Sequence, residues 1–180
     1  MLVHNAAASM TQVAAIAAIG VRLIAGHSNH SSFELHEALR RAERLKELGA
    51  IVDVSTLDTF GAQRLADGPE LLFAMFSGGL VDTISTDYAG GFHDSILLAI
   101  DQAIKAVVVR LPAAIAMATA NVAGAIPGVA PRRGRVTPGA VADLVLTDPA
   151  DLPRVRTVII GGETAVRDGV RVTANWVCSA

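Results

Sequence analysis

Four times between Leu2 and about residue 125, a short apolar run gives way to a segment with helical spacing. That alternation decides the class of fold. Successive parallel strands can be joined only through a crossover, so strand-then-helix repeats imply a parallel sheet covered by helices. Leu2-Val3 leads into His4 and then a small-residue helix over residues 10–19, with Ser9 at the N-cap position and Gly20 as its stop. Residues 21–25 read as a second strand ending at Gly26. In the next helix Ser31 and Glu34 have capping-box spacing, and Leu35, Ala38, Leu39, Ala42 and Leu45 recur on one face. Glu37, Arg40, Arg41, Arg44 and Glu47 form its solvated face, and Gly49 closes it. Residues 50–54 make a third strand, followed by a helix within 69–76 that ends at Gly78-Gly79. A fourth strand is expected over 80–85 and a helix over 95–107, and Pro112 opens a last helix through residue 122.

Past Pro127 the texture changes. Gly, Pro and Arg crowd residues 127–139, and β-rich pieces follow at 142–146, 155–160 and 163–172. Asp168-Gly169 between two of these runs is a hairpin signal. The expected division is therefore an α/β unit over residues 1–126 and a small β-rich module over 127–180. Composition excludes several other classes. A chain that is 52% hydrophobic is not disordered, and a net charge of -2 lacks the basic excess of a nucleic-acid binder. No uninterrupted apolar run reaches the ~18 residues of a membrane span. The alanine-rich stretch over residues 6–19 is interrupted by Ser9, Thr11 and Gln12 and lacks a signal peptide's positive flank. Cys178 is the single cysteine, so no internal disulfide forms, and a reducing cytoplasm is the expected compartment.

In parallel α/β folds the reactive groups sit where strands end and loops lead into helices. His4 follows the first strand, His27 and His30 the second, Asp53 and Ser55 close the third, and Asp87 follows the fourth. Imidazoles and a carboxylate converging on one mouth suit Zn²⁺ or a similar divalent ion, which activates water and polarises a carbonyl. Each residue also has a plainer reading. A lone histidine at a strand end is more often a surface or hydrogen-bonded residue, and Ser85-Thr86-Asp87 equally suits a cap on the following loop. Gly90-Gly91 reads equally as a tight turn. His36 and His93 read as structural or solvent-exposed, and Asp53 as a structural or supporting carboxylate.

Val3-His4, Gly26-His27-Ser28-Asn29-His30, the run from Gly49 to Ser55, and Ser85-Thr86-Asp87 together resemble the second half of an amidohydrolase-superfamily barrel. The isoaspartyl-dipeptidase and dihydroorotase-like metal-dependent hydrolases are the most similar subgroup. The tail is similar too: Gly134-Arg135-Val136, Pro138-Gly139, Ala142-Asp143-Leu144-Val145, and Gly161-Gly162 ahead of Val166-Arg167-Asp168-Gly169 follow the pattern with which these enzymes close. The resemblance implies a partial (β/α)8 barrel, its four βα units corresponding to strands 5–8, followed by the small β-rich tail. It implies that His4 and His27 are metal ligands and that Asp87 is both a ligand and the general acid/base for the attacking water. One or two divalent ions, zinc foremost, are the implied cofactor. His30 falls near an arginine with which the dipeptidase subgroup holds a substrate carboxylate, so it is the candidate substrate-binding residue and departs from acidic-dipeptide specificity.

The family's His-x-His pair on its first strand, and the bridging carboxylated lysine or glutamate on its fourth, have no counterpart in these 180 residues. A complete barrel takes about 250 residues. Four strands alone are expected to leave an apolar inner face and two unpaired edges, each a template for association. The expected partners are a small-molecule amide substrate and either a second copy or a complementing N-terminal half. Two functions stay open: the C-terminal portion of an enzyme that hydrolyses a linear or cyclic C–N amide bond, inactive without its other half, or a non-catalytic remnant or assembly module that keeps the fold.

Overall fold

The computed structural model describes residues 1–63, 68–88 and 91–172; Gly90 and Cys178 lie outside them. The alternation forms β1 (Leu2–His4), α1 (Met10–Ala18), β2 (Ile24–Gly26), α2 (Leu35–Glu47), β3 (Ile51–Ser55), α3 (Glu70–Ser77), β4 (Thr83–Ser85) and α4 (Ile96–Lys105). The four strands pair in parallel and in chain order, with Leu2 opposite Ile24, Ile24 opposite Ile51, and Asp53 opposite Thr83.

Side chains alternate across a strand, so this register sorts the sheet into two unlike faces. Leu23 and Ala25 beside β2, Val52 and Val54 in β3 and Ile84 in β4 are buried against Ala42 and Leu45 of α2, Leu72 and Met75 of α3, and Ile100 and Ala103 of α4. The other face carries Leu2, Ile24, Asp53, Thr83 and Ser85 and lines a concavity of 570 Å³. Leu2 there is 71% exposed. The inner face is thus apolar at Leu2, Ile24 and Ile51, and toward the strand ends of β3 and β4 it is carboxylate and hydroxyl at Asp53, Thr83 and Ser85. The apolar inner face expected from the sequence holds in part, and the Asp53–Thr83–Ser85 hydrogen bonds described below make the remainder polar.

Several elements differ locally from the sequence pattern, each for a visible reason. Ser31 does not cap α2: the helix starts at Leu35 with Glu34 at the N-cap and no side-chain cap bond. Ser9 does occupy the N-cap of α1, but its hydroxyl bonds the His4 and Ala6 carbonyls instead of capping the helix. Ser95 is a true cap, accepting from the Leu98 N–H at 3.0 Å. The fourth strand is shorter than expected because Gly79 and Leu80 donate back to Phe76 and Met75 and so finish α3. The single helix expected over residues 112–122 is two, α5 (Leu111–Ala118) and α6 (Ala120–Ala125), broken at Thr119 (φ -136, ψ -85). Thr119 Oγ1 donates to the Ile115 carbonyl at 2.7 Å, a local bond of the kind that bends helices.

The tail forms a separate antiparallel meander, β5 (Leu144–Asp148), β6 (Asp151–Ile160), β7 (Glu163–Arg167) and β8 (Val170–Arg171), paired in chain order. Asp168 (φ 49) and Gly169 (φ 77) make the expected hairpin turn, both in the left-handed region that a two-residue hairpin requires. The Arg156 guanidinium binds Asp148 Oδ2 at 2.8 Å across β5 and β6. Leu152 of β6 packs on the main core.

Gly134, in the Gly- and Pro-rich connection, has φ 79 and lies against the α5–α6 break. A Cβ there would stand 2.7 Å from Ala123 Cβ and 2.8 Å from the Thr119 carbonyl oxygen. Overpacking against backbone plus the left-handed penalty makes Gly134→Ala destabilising by about 2–4 kcal/mol, read as a lower urea midpoint. An unchanged midpoint would mean that this connection does not pack on the α5–α6 junction.

Candidate functional site

Parallel pairing brings the C-terminal ends of β1 to β4 to one edge, with His4 opposite Gly26 and Ser55 opposite Ser85. Hydrogen bonds carry the ladder past the formal strands: Asn5 N–H donates to Gly26 O at 2.8 Å, Ser28 N–H to Asp53 O at 2.9 Å, and Thr56 N–H to Ser85 O at 3.0 Å. Asn29 clamps the loop after β2 onto β3, donating to Ser55 O at 2.9 Å and accepting from Ser55 N–H at 2.8 Å. That side chain had no role in the sequence reading. The signal available was its place between His27 and His30, where an Asx side chain readily replaces missing backbone partners.

His27 and Asp87 meet on this edge. His27 Nδ1 lies 2.8 Å from Asp87 Oδ2, yet it is buried and has no aligned hydrogen-bond partner. The carboxylate lies close to the nitrogen but makes no hydrogen bond with it. His27 (φ 59) and Asp87 (φ 49) both have left-handed backbones, which histidine and aspartate adopt more readily than most residues but still at a cost. The His4 ring stands 4.4 Å from that of His27, and the His30 ring 5.5 Å from that of His4, edge on. The sequence-predicted His4, His27, His30 and Asp87 therefore share one cluster. His36 is exposed on α2, and His93 is exposed against Tyr88, their rings 5.2 Å apart.

Burial pushes the His27 pKa below the ordinary 6.5, opposed by the Asp87 carboxylate and reinforced by His4 and His30. Its imidazole is thus neutral near pH 7, the form that ligates metals. Asp53 sits beneath the cluster on the inner face. Its Oδ1 accepts from Thr83 Oγ1 at 2.6 Å and its Oδ2 from Ser85 Oγ at 2.7 Å, which ties β3 to β4. Burial raises its pKa above 3.8, the two hydroxyls hold it down in part, and Asp87 raises it further.

The donor chemistry suits a divalent ion: imidazole nitrogen and carboxylate oxygen converge, and the buried Nδ1 lacks any other partner. Among the described residues, however, no three His, Cys, Asp or Glu side chains come close enough to hold an ion by themselves. These residues fit part of a coordination sphere. His27 and Asp87 also border two concavities, the 570 Å³ one on the inner face and another of 310 Å³ on the loop side, between the loop after β2 and α3.

Comparison with solved structures gives the class of fold. The described residues have a fold similar to part of solved amidohydrolase-superfamily structures. It is similar to a beta-aspartyl dipeptidase from Fervidobacterium islandicum AW-1 (18% identity, TM-score 0.74, covering 98% of this chain and 48% of that one). It is also similar to a D-aminoacylase with a binuclear metal centre (15% identity, TM-score 0.73, covering 96% and 54%). A third is a dihydropyrimidinase from Brevibacillus agri NCHU1002 (16% identity, TM-score 0.69, covering 92% and 49%). The chain therefore spans about half the length of these structures. No family model and no curated protein matches the sequence.

Because the folded pKa of His27 is lowered, the unfolded chain binds more protons in the window just below pH 6.5. Its contribution to stability is complete above that value and lost as the pH falls toward the folded pKa. Metal-free urea titrations at pH 7.5 and 5.5 should show that loss, and His27→Asn, which tolerates the left-handed backbone, should reduce it. An equal pH slope in both proteins would refute the assignment.

Proposed function

We propose that this chain is the C-terminal portion of a metal-dependent amidohydrolase that cleaves a C–N amide bond, linear or cyclic. The observation that carries the reading is the pairing of His27 Nδ1, buried and without a hydrogen bond, with Asp87 Oδ2 at 2.8 Å, both on strained residues at the ends of parallel strands. The fold likeness to a beta-aspartyl dipeptidase, a dihydropyrimidinase and a D-aminoacylase supports the same reaction class. In this reading β1 to β4 correspond to strands 5–8 of a (β/α)8 barrel over residues 1–126, and the β5–β8 meander is the closing module over 127–180. The complementary four units, carrying the other metal ligands, are the natural partner; they would cover Leu2, Ile24 and the open edges of β1 and β4. Among the described residues no helix is long and apolar enough to cross a membrane, and we place the protein in the cytoplasm.

His4, His27 and Asp87 would hold the metal, with zinc the expected ion. Once bound, such an ion supplies a polarised carbonyl and an acidified water. The chain's own residues do the rest. His27 is already neutral and needs no deprotonation to bind. Asp87 takes a proton from the attacking water and delivers it to the leaving nitrogen, the bidirectional role of a general acid/base. Asp53 holds Thr83 and Ser85 by their hydroxyls and so fixes the strand end that carries Asp87.

Two outcomes test this. Mixed with a polypeptide supplying the first four units, the chain should bind divalent metal and hydrolyse amides, while alone it should show little or no turnover. An assembly that forms, binds metal and hydrolyses no amide would leave the non-catalytic module as the better reading. Within an active assembly, Asp87→Asn keeps the backbone conformation and should lower turnover about 10²–10⁴-fold while metal content persists in part. Unchanged turnover would remove Asp87 from the mechanism.

A further inference from the structure

Resting on the reading of Asp87 as the acid/base of an amidohydrolase, we propose that Thr56 is a positioning residue for Asp87. It clamps both stems of the connection that carries Asp87, with Asp94 as its far anchor. Thr56 follows β3 directly and is fully buried; Asp94, immediately ahead of the Ser95 cap of α4, is 3% exposed. Each polar group of Thr56 reaches the connection between β4 and α4. Its N–H donates to the Ser85 carbonyl at 3.0 Å, its carbonyl accepts from Asp94 N–H at 3.1 Å, and its hydroxyl donates to the Asp94 carbonyl. Ser85 precedes Asp87 in the chain and Asp94 follows it, so one residue holds both sides.

The clamp is itself anchored to the core. Asp94 Oδ2 accepts from Phe60 N–H at 2.6 Å, and the Phe60 ring packs on Phe73 of α3, their centroids 6.0 Å apart. Past Asp94, Ser95 caps α4, whose Ala99 and Ile100 are fully buried. The backbone of Asp87 shows what this anchoring is for. Its φ of 49 is disfavoured, and such a conformation persists only where the surroundings over-determine it. A connection held at one stem relaxes by moving the other. With both stems on Thr56, the closed segment has few alternative paths. Relaxation at Asp87 then breaks buried bonds at Ser85 or Asp94, and each group left unpaired is costly. A single bond would join the loops yet allow them to rotate, whereas three on one residue fix orientation as well. The Asp87 carboxylate is thereby kept 2.8 Å from His27 Nδ1.

The test uses the full chain, isotopically labelled and free of metal. In the wild type the Thr56, Phe60 and Asp94 amides should exchange with solvent about 100-fold or more slowly than unstructured amides, as one opening unit. Free exchange at Phe60 or Asp94 would overturn the proposal. Thr56→Val keeps the volume and the backbone bonds but removes the hydroxyl. It should speed exchange at Asp94 and Phe60 about tenfold and displace the His27 ring-nitrogen resonances at pH 7.5. Thr56→Ser should restore both. Asp94→Ala, which frees the Phe60 N–H, should displace the same resonances and decides the matter where Thr56→Val does not fold. Unmoved His27 resonances in the variants that fold would refute the clamp. The Asp87→Asn background separates positioning from packing. There Thr56→Val should move the His27 resonances no more than about half as far, and a larger movement would mean that Thr56 acts by general loosening. Neither metal nor turnover enters these readings, so the clamp and the hydrolase reading fail separately.

Discussion

Because β1, β2, β3 and β4 pair in parallel and in chain order, every strand ends at the same edge, and residues distant in sequence reach one place without any long-range loop. His4, His27 and Asp87 are separated by helices that exist to bring the chain back to the start of the next strand. The edge is then stiffened beyond the ladder by the Asn29 clamp on Ser55 and by backbone bonds from Ser28 and Thr56. A slip of one residue in β2 would turn Leu23 and Ala25 to the open face and Ile24 into the core. Full burial of Leu23, Ala25, Val52 and Val54 under the helices opposes such slips and so holds the site's geometry.

The open face is arranged differently from a core. A sheet face waiting only for apolar partners would carry branched aliphatics throughout, yet across β3 and β4 it carries Asp53 with Thr83 and Ser85. These three groups satisfy one another, so their burial costs less than that of isolated polar groups. The raised pKa of Asp53 shows that the balance is incomplete, since desolvation outweighs the two hydroxyl bonds. A polar patch of this kind beneath His27 and Asp87 keeps a local field at the strand ends while Leu2 and Ile24 remain for hydrophobic contact.

What could be read in the sequence follows from which interactions are local. The four βα repeats, the α2 face from Ala38 to Leu45 and the Asp168-Gly169 turn rest on periodicity and backbone preference, and all three stand in the structure. Strand ends gave the loops on which His4, His27, His30 and Asp87 sit, because parallel topology alone dictates their common edge. The Ser31–Glu34 capping spacing misled because Ser32, one residue on, is drawn into bonds with His30 and Ala7, and α2 starts three residues later. Thr119 broke the last helix through its own hydroxyl, a competition that periodicity does not register. The Asn29–Ser55 clamp and the Asp53–Ser85 bond span 26 and 32 positions and depend on the register of the sheet. Such pairings emerge only when the strands are aligned.

Part of the backbone cost of this fold falls at the candidate ligands, with the rest at Asp58, Val107 and the Asp168 hairpin turn. Left-handed backbone at His27 and at Asp87 disfavours each by about 1–3 kcal/mol, and a buried, unpartnered imidazole nitrogen by about 1–3 kcal/mol more. A loop selected for stability alone would place glycine or asparagine at such positions, since both enter that region more easily. Elsewhere on the same edge the chain does satisfy its polar groups, as Asn29 and Asp53 illustrate, so the unsatisfied nitrogen is a local exception. His27 Nδ1 and Asp87 Oδ2 lie 2.8 Å apart with no hydrogen bond between them. A divalent ion would resolve both the orphaned donor atom and the charge of Asp87 in one interaction.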